Sequence, residues 1–352
     1  MAETIRGQGG SVLTMDVSVL GDPSAPCDIS KHQVAEAGGS TIQAAIDSGD
    51  ENTAMQIMAK GAALEAVRLH RDGTMHGVVI LGGTMGTDLA LDVCQALPMG
   101  VPKYVVSTVS FSPLLPPDRL APDIQMILRA GGLYGLNSVC KASLSQAAGA
   151  VLGAARAVEA PAFDRPVVGM TSLGSSCLSY MKLLKPALED RGFEVAIFHA
   201  TGMGGMAFEK IAAEGGFACV MDFALPELGN LLAGSVVHSG EDRPFHAPTR
   251  PIKSSGPTAE ERRETAHEIA KRIAGSTAPV QILLPLGGIE EWDKPGEPAH
   301  DPDGLAAFIE EMRSVIPEEQ LIEVDGHIND KAFADAALKI FDQWREEGVV
   351  TG

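Results

Sequence analysis

The feature that most constrains this chain is an alternation of short β-branched runs with longer amphipathic segments, from about residue 40 to the C-terminus. It is typical of parallel sheets with helices on both faces, because parallel strands need long crossovers that are usually helical. Strands are predicted at residues 12–19, 76–81, 103–108, 167–173, 193–200, 218–223, 280–286 and 320–325. Helices are predicted at residues 51–72, 86–97, 138–158, 177–191, 203–215, 258–274, 304–315 and 330–347. Thr258 and Glu261 have the spacing of a capping box at the start of the sixth of these helices. The predicted fold class is therefore α/β.

The length of 352 residues favours two domains, because single hydrophobic cores stop growing below this size. An alanine-rich segment gives way to a proline-bracketed stretch at residues 157–166, so we predict lobes at residues 1–160 and 161–352. Proline-rich stretches at residues 111–123 and 241–257 predict irregular loops. Such loops are either functional lids or tolerated surface insertions.

Composition excludes several classes of function. The formal net charge of -19 disfavours nucleic acid and anionic membranes as partners, and no basic stripe offsets it. No apolar run approaches the roughly 20 residues of a membrane span, and the N-terminal residues lack a secretory signal pattern, which predicts a cytoplasmic protein. The chain has five cysteines, Cys27, Cys94, Cys140, Cys177 and Cys219. Because none of them has CxxC spacing, reduced thiols fit better than disulfides or a zinc site.

Four predicted strands run directly into turns rich in glycine or serine, at residues 81–87, 172–177, 199–206 and 286–291. The carboxyl ends of parallel strands face one crevice in which ligands bind, and glycine lets backbone N–H groups approach an anion closely. The predicted ligand-binding residues are Ser175, Ser176, Thr201, Gly202, Gly204, Gly205, Glu227, Gly287, Gly288 and Asn329. None of the turns completes a GxGxxG or GxxxxGK[ST] pattern, and tight helix–strand packing also explains glycine at such turns.

Two histidines and an aspartate are the candidate acid–base groups. His199 and His327 follow predicted strands, and Asp222 ends the run 218–222. An imidazole exchanges protons near neutral pH, which suits general acid–base catalysis or donation to a ligand carboxylate. Structural hydrogen bonding explains each histidine as well, and helix or loop capping explains Asp222. No residue pattern identifies a metal site.

The motifs of the chain resemble those of the Tm-1-like ATP-binding family. The resemblance rests on the sequences of residues 77–87, 97–108, 169–172, 193–205 and 327–330, and it extends from about residue 28 to the C-terminus. It implies two Rossmann-like lobes with an interlobe cleft, ATP binding in the first lobe and a tendency to form a homodimer. The nucleotide-binding residues that it implies are Gly82, Gly83, Thr84, Gly86, Thr87, Ser107 and Thr108.

The chain departs from the family pattern in two places. Residues 1–10 contain neither the usual first strand nor the GTxDTK-like turn, and the segment after Arg243 is compressed into a proline-rich loop. Loss of the first strand leaves a sheet edge that needs cover, which dimerisation could supply. The leading hypothesis is binding of an ATP-like nucleotide or another small anion. The alternatives are an enzyme acting on a small carboxylate or phosphorylated metabolite, and a scaffolding dimer.

Overall fold

A computed structural model describes residues 1–131, 135–159, 164–173, 178–200, 202–225, 228, 232, 245–246 and 254–352. The chain divides into two compact units, Met1–Ala162 and Phe163–Gly352. Eleven α-helices and ten strands lie in the described residues. None of these helices is long and apolar enough to span a bilayer.

The N-terminal unit is a three-stranded parallel sheet with helices on both faces. Its elements are α1 (Ala2–Gly7), α2 (Lys31–Ala37), α3 (Ile42–Asp47), α4 (Glu51–Arg71), β1 (Val78–Gly82), α5 (Thr84–Ala96), β2 (Lys103–Ser107), β3 (Ile124–Leu128) and α6 (Ser138–Ala157). The strand order is β1-β2-β3. Gly82, Ser107 and Leu128 are in register, so the three strands end side by side.

The two faces of this sheet are buried in different cores. Val78 and Ile80 pack with the apolar residues of α2–α5, whereas Val79 and Tyr104 pack with those of α1 and α6. This alternation follows from the strand repeat of two residues. A buried ion pair closes the opposite end of the sheet: the ammonium of Lys103 lies 2.7 Å from the carboxylate of Asp123 and donates to the Pro98 carbonyl at 2.8 Å.

The C-terminal unit contains two parallel arrangements and a short antiparallel pair. Its elements are β4 (Val167–Ser172), α7 (Leu178–Glu189), β5 (Glu194–His199), α8 (Met203–Ala213), β6 (Cys219–Met221), β7 (Phe245–His246), β8 (Ser254–Ser255), α9 (Ala259–Ala274), β9 (Ile282–Pro285), α10 (Pro302–Val315), β10 (Leu321–Val324) and α11 (Lys331–Glu346). The strand order is β5-β4-β6 in one sheet, and β9 pairs with β10. The apolar face of α11 buries Phe333 and Phe341 in a core shared with β4, β5 and α7.

The predicted α/β class with parallel sheets is confirmed. Seven of the eight predicted strands and all eight predicted helices have counterparts within a few residues. The capping box predicted at the start of α9 is present, with the hydroxyl of Thr258 accepting from the Glu261 N–H at 3.3 Å. The predicted loop at residues 241–257 lies largely outside the described residues.

The prediction of a strand at residues 12–19 is wrong. The segment makes one isolated bridge, Met15 with Ile29, and Thr14 and Asp28 hold it through hydrogen bonds between side chains and backbone. Its apolar residues pack into the cores instead of joining a ladder. Three short helices, β3 and the two-residue strands β7 and β8 were not predicted. The start of α2 has a local signal in the sequence, a capping box at Ser30 and Gln33. β3 has no such signal, because it directly follows a stretch with prolines at positions 113, 116, 117 and 122.

Candidate functional site

The carboxyl edge of the N-terminal sheet brings together all seven residues that the family resemblance indicated. β1 ends at Gly82, the turn passes through Gly83, and α5 begins at Thr84. Ser107 ends the neighbouring β2, and the N–H of Thr108 donates to the Gly82 carbonyl at 3.3 Å. No side chain caps α5 at Gly83, so the N–H groups of its first turn face the turn without a side-chain acceptor.

Gly82 is required by the close approach of α5 to β1. A Cβ atom at this position would lie 2.3 Å from the Gly86 carbonyl carbon and 2.4 Å from the Thr87 nitrogen, both of them backbone atoms. At Gly83 the nearest atom to such a Cβ is the Thr108 hydroxyl oxygen, at 4.0 Å. The two glycines therefore differ in role: Gly82 permits the packing, and Gly83 leaves open space at the helix start.

Thr87 and Ser107 join the two loops of this edge. Both side chains are buried, and their hydroxyl oxygens lie 2.6 Å apart. Thr87 also donates to the Gly83 carbonyl at 2.6 Å, and Ser107 accepts from the Val109 N–H at 3.0 Å. These contacts favour a positioning role for Thr87 and Ser107. Thr84, by contrast, is exposed.

Arg129 is a candidate residue that the sequence analysis missed. It follows β3 directly, and its N–H donates to the Ser107 carbonyl at 2.8 Å, so it lies on the same edge. Its Nε is buried without a hydrogen-bond partner, and no ion pair of its guanidinium is found within the described residues. A buried donor without a partner costs free energy, which binding of an anion would recover. The signal was an arginine at the end of an apolar run, hidden because β3 itself was not predicted.

A second carboxyl edge, formed by β9 and β10, brings together Gly287, Gly288, His327 and Asn329. The N–H of Gly287 donates to the Gly326 carbonyl at 2.8 Å, and that of Ile328 donates to the Gly288 carbonyl at 3.0 Å. Gly288 has a φ of +132°, and a Cβ there would lie 2.4 Å from the Asp293 carboxylate. The two loops are thus fastened to each other through their backbones.

The imidazole of His327 is engaged on both nitrogens. Its Nδ1 accepts from the Asn329 N–H at 3.0 Å, so Nε2 carries the ring proton and lies 2.8 Å from the Glu290 carbonyl and 3.0 Å from the Asp293 carboxylate. Burial acts to lower the pKa of His327, but the hydrogen bonds to Asp293 and Glu290 raise it above its ordinary value. The ring is buried and joins the loops, which favours positioning over direct proton transfer.

Glu290 is the titratable group of this edge whose pKa is most clearly displaced toward neutrality. Burial raises its pKa to about 7, the neighbouring Asp293 carboxylate adds to the rise, and Arg262 and His327 act in the opposite sense. Its N–H donates to Asp293 at 3.3 Å. The sequence signal was present, because two glutamates follow the glycine pair of this loop after the single residue Ile289.

The edge formed by β4 and β6 contains Asp222. The hydroxyl of Thr171 accepts from the N–H groups of Phe223 and Ala224, at 3.0 and 3.1 Å, and therefore donates its own proton to Asp222, at 2.6 Å. Although part of the residue is exposed, burial of its carboxyl raises the pKa of Asp222 to about 6. The Thr171 hydrogen bond lowers it, and Glu209 adds a smaller rise.

His199 ends β5 in register with Ser172 and is exposed. Gly202 precedes α8 with a φ of +67°, and a Cβ on Gly204 would lie 2.1 Å from the His199 carbonyl oxygen. Gly204 therefore serves helix–strand packing, while Gly205 is half-buried in the first turn of α8. The predicted residues Ser175, Ser176, Thr201 and Glu227 lie outside the described residues. Among the described residues, no group of three His, Cys, Asp or Glu side chains is placed to hold a metal ion.

Fold and site together define a parallel α/β protein with glycine-rich turns and hydroxyl groups at the carboxyl ends of its strands. The family model for the N-terminal domain of Uncharacterised protein family (UPF0261) matches residues 1–160. The model for the C-terminal domain matches residues 165–254 and 252–345. The chain belongs to this family.

Three relatives illustrate the range of similarity. A UPF0261 protein of Brucella suis biovar 1 is 49% identical over 387 residues, covering 99% of this chain and 93% of that protein. A UPF0261 protein of Clostridium tetani is 28% identical over 377 residues, covering 96% and 93%. The ToMV susceptible protein tm-1(GCR26) of Solanum lycopersicum is 25% identical over 335 residues, covering 82% of this chain and 44% of that protein.

The comparisons also indicate a shortened segment in this chain. The alignment with the Brucella relative is longer than the 352 residues available here, so the relative contains residues without a counterpart. The two matches to the C-terminal family model meet at residues 252–254. This junction lies in the proline-rich loop in which the compression after Arg243 is predicted.

Proposed function

We propose that this chain binds an ATP-like nucleotide, or another small phosphate-bearing anion, at the carboxyl edge of its N-terminal sheet. The observation that carries the proposal is the uncapped start of α5 at Gly83, on the same edge of the sheet as Arg129, whose Nε is buried and unpartnered at the end of β3. A helix N-terminus presents N–H groups and a partial positive charge to an anion, and Arg129 adds a full positive charge. In this chain of net charge -19, such a local arrangement would allow an anion to bind although acidic residues outnumber basic ones.

Two further observations support a nucleotide in particular. The resemblance to Tm-1-like ATP-binding proteins maps onto the residues of this edge. The tomato tm-1 protein is a distant relative over 82% of the chain. The dimer implied by the same resemblance is part of the proposal. β1 pairs only with β2 among the described strands, which leaves an edge for a partner, and light scattering of the purified protein tests it.

The test is calorimetric titration of the wild-type protein and two variants with ATP, ADP and pyrophosphate, each with and without Mg²⁺. Arg129→Gln should weaken binding of all three ligands by roughly 10- to 100-fold, as expected for loss of a charge-assisted hydrogen bond. Arg68→Gln is the matched control, because it removes the same charge from an exposed ion pair on α4. Failure of wild-type protein to bind any of these ligands would refute the proposal, as would equal effects of the two substitutions.

Our second candidate is an enzyme that uses an acid–base group of the C-terminal unit on a small carboxylate or phosphorylated metabolite. The observation that favours it is Asp222, whose raised pKa leaves a proton available near neutrality. A ¹³C NMR titration should find the Asp222 carboxyl changing state near pH 6. Thr171→Val should move that midpoint higher, because the hydroxyl stabilises the ionised form. An Asp222 midpoint near pH 4 would remove the basis of this candidate.

A further inference from the structure

The backbone of Phe111 has a left-handed conformation that is unfavourable for a residue with a large side chain. Among the described residues it is the only non-glycine residue with a positive φ, +62°. A left-handed backbone is strained for a residue with an ordinary side chain, and glycine or asparagine would adopt it with less strain. The ring of Phe111 is 77% exposed, so burial within the chain does not offset this cost.

The turn around Phe111 is fixed over the carboxyl ends of two strands. The hydroxyl of Ser110 lies 3.1 Å from the Ile127 carbonyl and 3.3 Å from the Ser107 carbonyl. The N–H of Ser112 donates to the Val109 carbonyl at 3.1 Å. These bonds join the turn to β2 and β3, so Phe111 lies on the same edge as the proposed anion site. Strained residues that persist in this way are concentrated at ligand clamps and active sites.

The same edge exposes other large apolar side chains. Leu81 precedes the Gly82–Thr87 turn, Met85 lies within it, and Leu128 ends β3 directly before Arg129. They are 43%, 45% and 49% exposed. Leu81 and Leu128 are offset by one residue in the register, so they lie on opposite faces of the sheet. The edge therefore combines groups suited to an anion with exposed apolar side chains on both of its sides.

We propose that Phe111 is a specificity-determining residue that packs against the base of a nucleoside phosphate whose phosphates bind at the Gly82–Thr87 turn. This inference rests on the proposed function and adds to it a preference for nucleotides over phosphates that lack a base. Phosphate groups alone would gain the helix N-terminus and Arg129, whereas a nucleotide would also gain stacking on the ring. Stacking of a base on an aromatic side chain strengthens binding by about 5- to 100-fold.

The experiment compares ADP with pyrophosphate, which carries the same diphosphate without a nucleoside. Calorimetric titrations would use the wild-type protein, Phe111→Asn, Phe111→Tyr and Leu64→Gln. Asparagine tolerates the left-handed turn but removes the ring, and tyrosine keeps the ring. Leu64→Gln removes an exposed apolar side chain from α4 and serves as the control.

We expect Phe111→Asn to weaken ADP binding by about 5- to 100-fold while pyrophosphate binding changes by less than about twofold. Phe111→Tyr and Leu64→Gln should keep the wild-type ratio of the two affinities. Equal loss of both ligands, or no loss of ADP, would overturn the role of Phe111 and leave the anion site in place. If wild-type protein binds neither ligand, the proposed function itself fails. Dissociation of a dimer by Phe111→Asn without a change in ADP affinity would assign the ring to an interface and overturn the inference.

Discussion

Replacement of Gly82 by alanine tests the packing on which the N-terminal site depends. The added Cβ would lie 2.3 Å from the carbonyl carbon of Gly86, about 1 Å closer than ordinary contacts allow. Both nearest atoms belong to the backbone of α5, so no side-chain rotation relieves the clash, and the helix must move from β1. Overpacking of this kind costs roughly 1–3 kcal/mol, and we expect the upper part of that range.

The effect can be measured by urea unfolding, as a lower midpoint at constant slope, and by a fall in Tm of about 5–10 °C. Two alanine substitutions are matched controls. At Gly83 the nearest atom to the added Cβ is the Thr108 hydroxyl oxygen at 4.0 Å, so the loss should stay below about 1 kcal/mol. At Gly149, inside α6, nothing lies within 4 Å, and alanine should stabilise the helix by about 0.5–1 kcal/mol. A Gly82→Ala protein as stable as the Gly83→Ala protein would refute the argument.

Three other outcomes are expected from the contacts described above. Lys103→Met removes the ion-pair partner of the partly buried Asp123 carboxylate and should lower the free energy of unfolding by roughly 3 kcal/mol. Much of this loss should be recovered when Asp123→Leu is added, and a loss below about 1 kcal/mol for Lys103→Met would contradict the importance of the pair. Because the folded-state pKa of Glu290 is raised to about 7, ionisation of this group lowers stability as the pH rises from about 4.5 to 7. The stability of Glu290→Gln relative to the wild type should therefore increase across that interval, by on the order of 2 kcal/mol. Denaturation curves in which the difference in the free energy of unfolding between the two proteins is independent of pH would exclude this effect. Thr258→Ala removes the hydroxyl cap of α9 and should cost about 1 kcal/mol, whereas Thr258→Ser should be near neutral in the same measurement.

Most of the secondary structure followed from the sequence because its cues are local. Apolar runs of strand length and amphipathic helical segments located the parallel sheets, and Thr258 with Glu261 marked a helix start. β3 was not predicted because it directly follows a proline-rich stretch, and no residue marks the boundary between that loop and the strand. The segment at residues 12–19 has strand composition, but it forms no ladder, since a strand exists only where a partner strand is available.

The candidate site was predictable only in part. The glycine and hydroxyl residues at residues 82–87 and 107–108 were found because each directly follows an apolar run. Arg129 and Phe111 were not, since their importance depends on strand register and backbone conformation rather than on neighbouring residue types. The interlobe cleft stays a prediction.

The sequence by itself determined the α/β class, the glycine-rich turn at the end of β1 and the strongly acidic net charge. These depend on residue periodicity, turn composition and net charge, which are properties of the chain. Only the tertiary structure distinguished the roles of similar residues in that turn. Gly82 packs against a helix while Gly83 borders open space, and Thr87 is buried while Thr84 is exposed. The physical reason is that close packing and burial arise between segments distant in sequence, so the same residue type acquires a different role according to what lies against it.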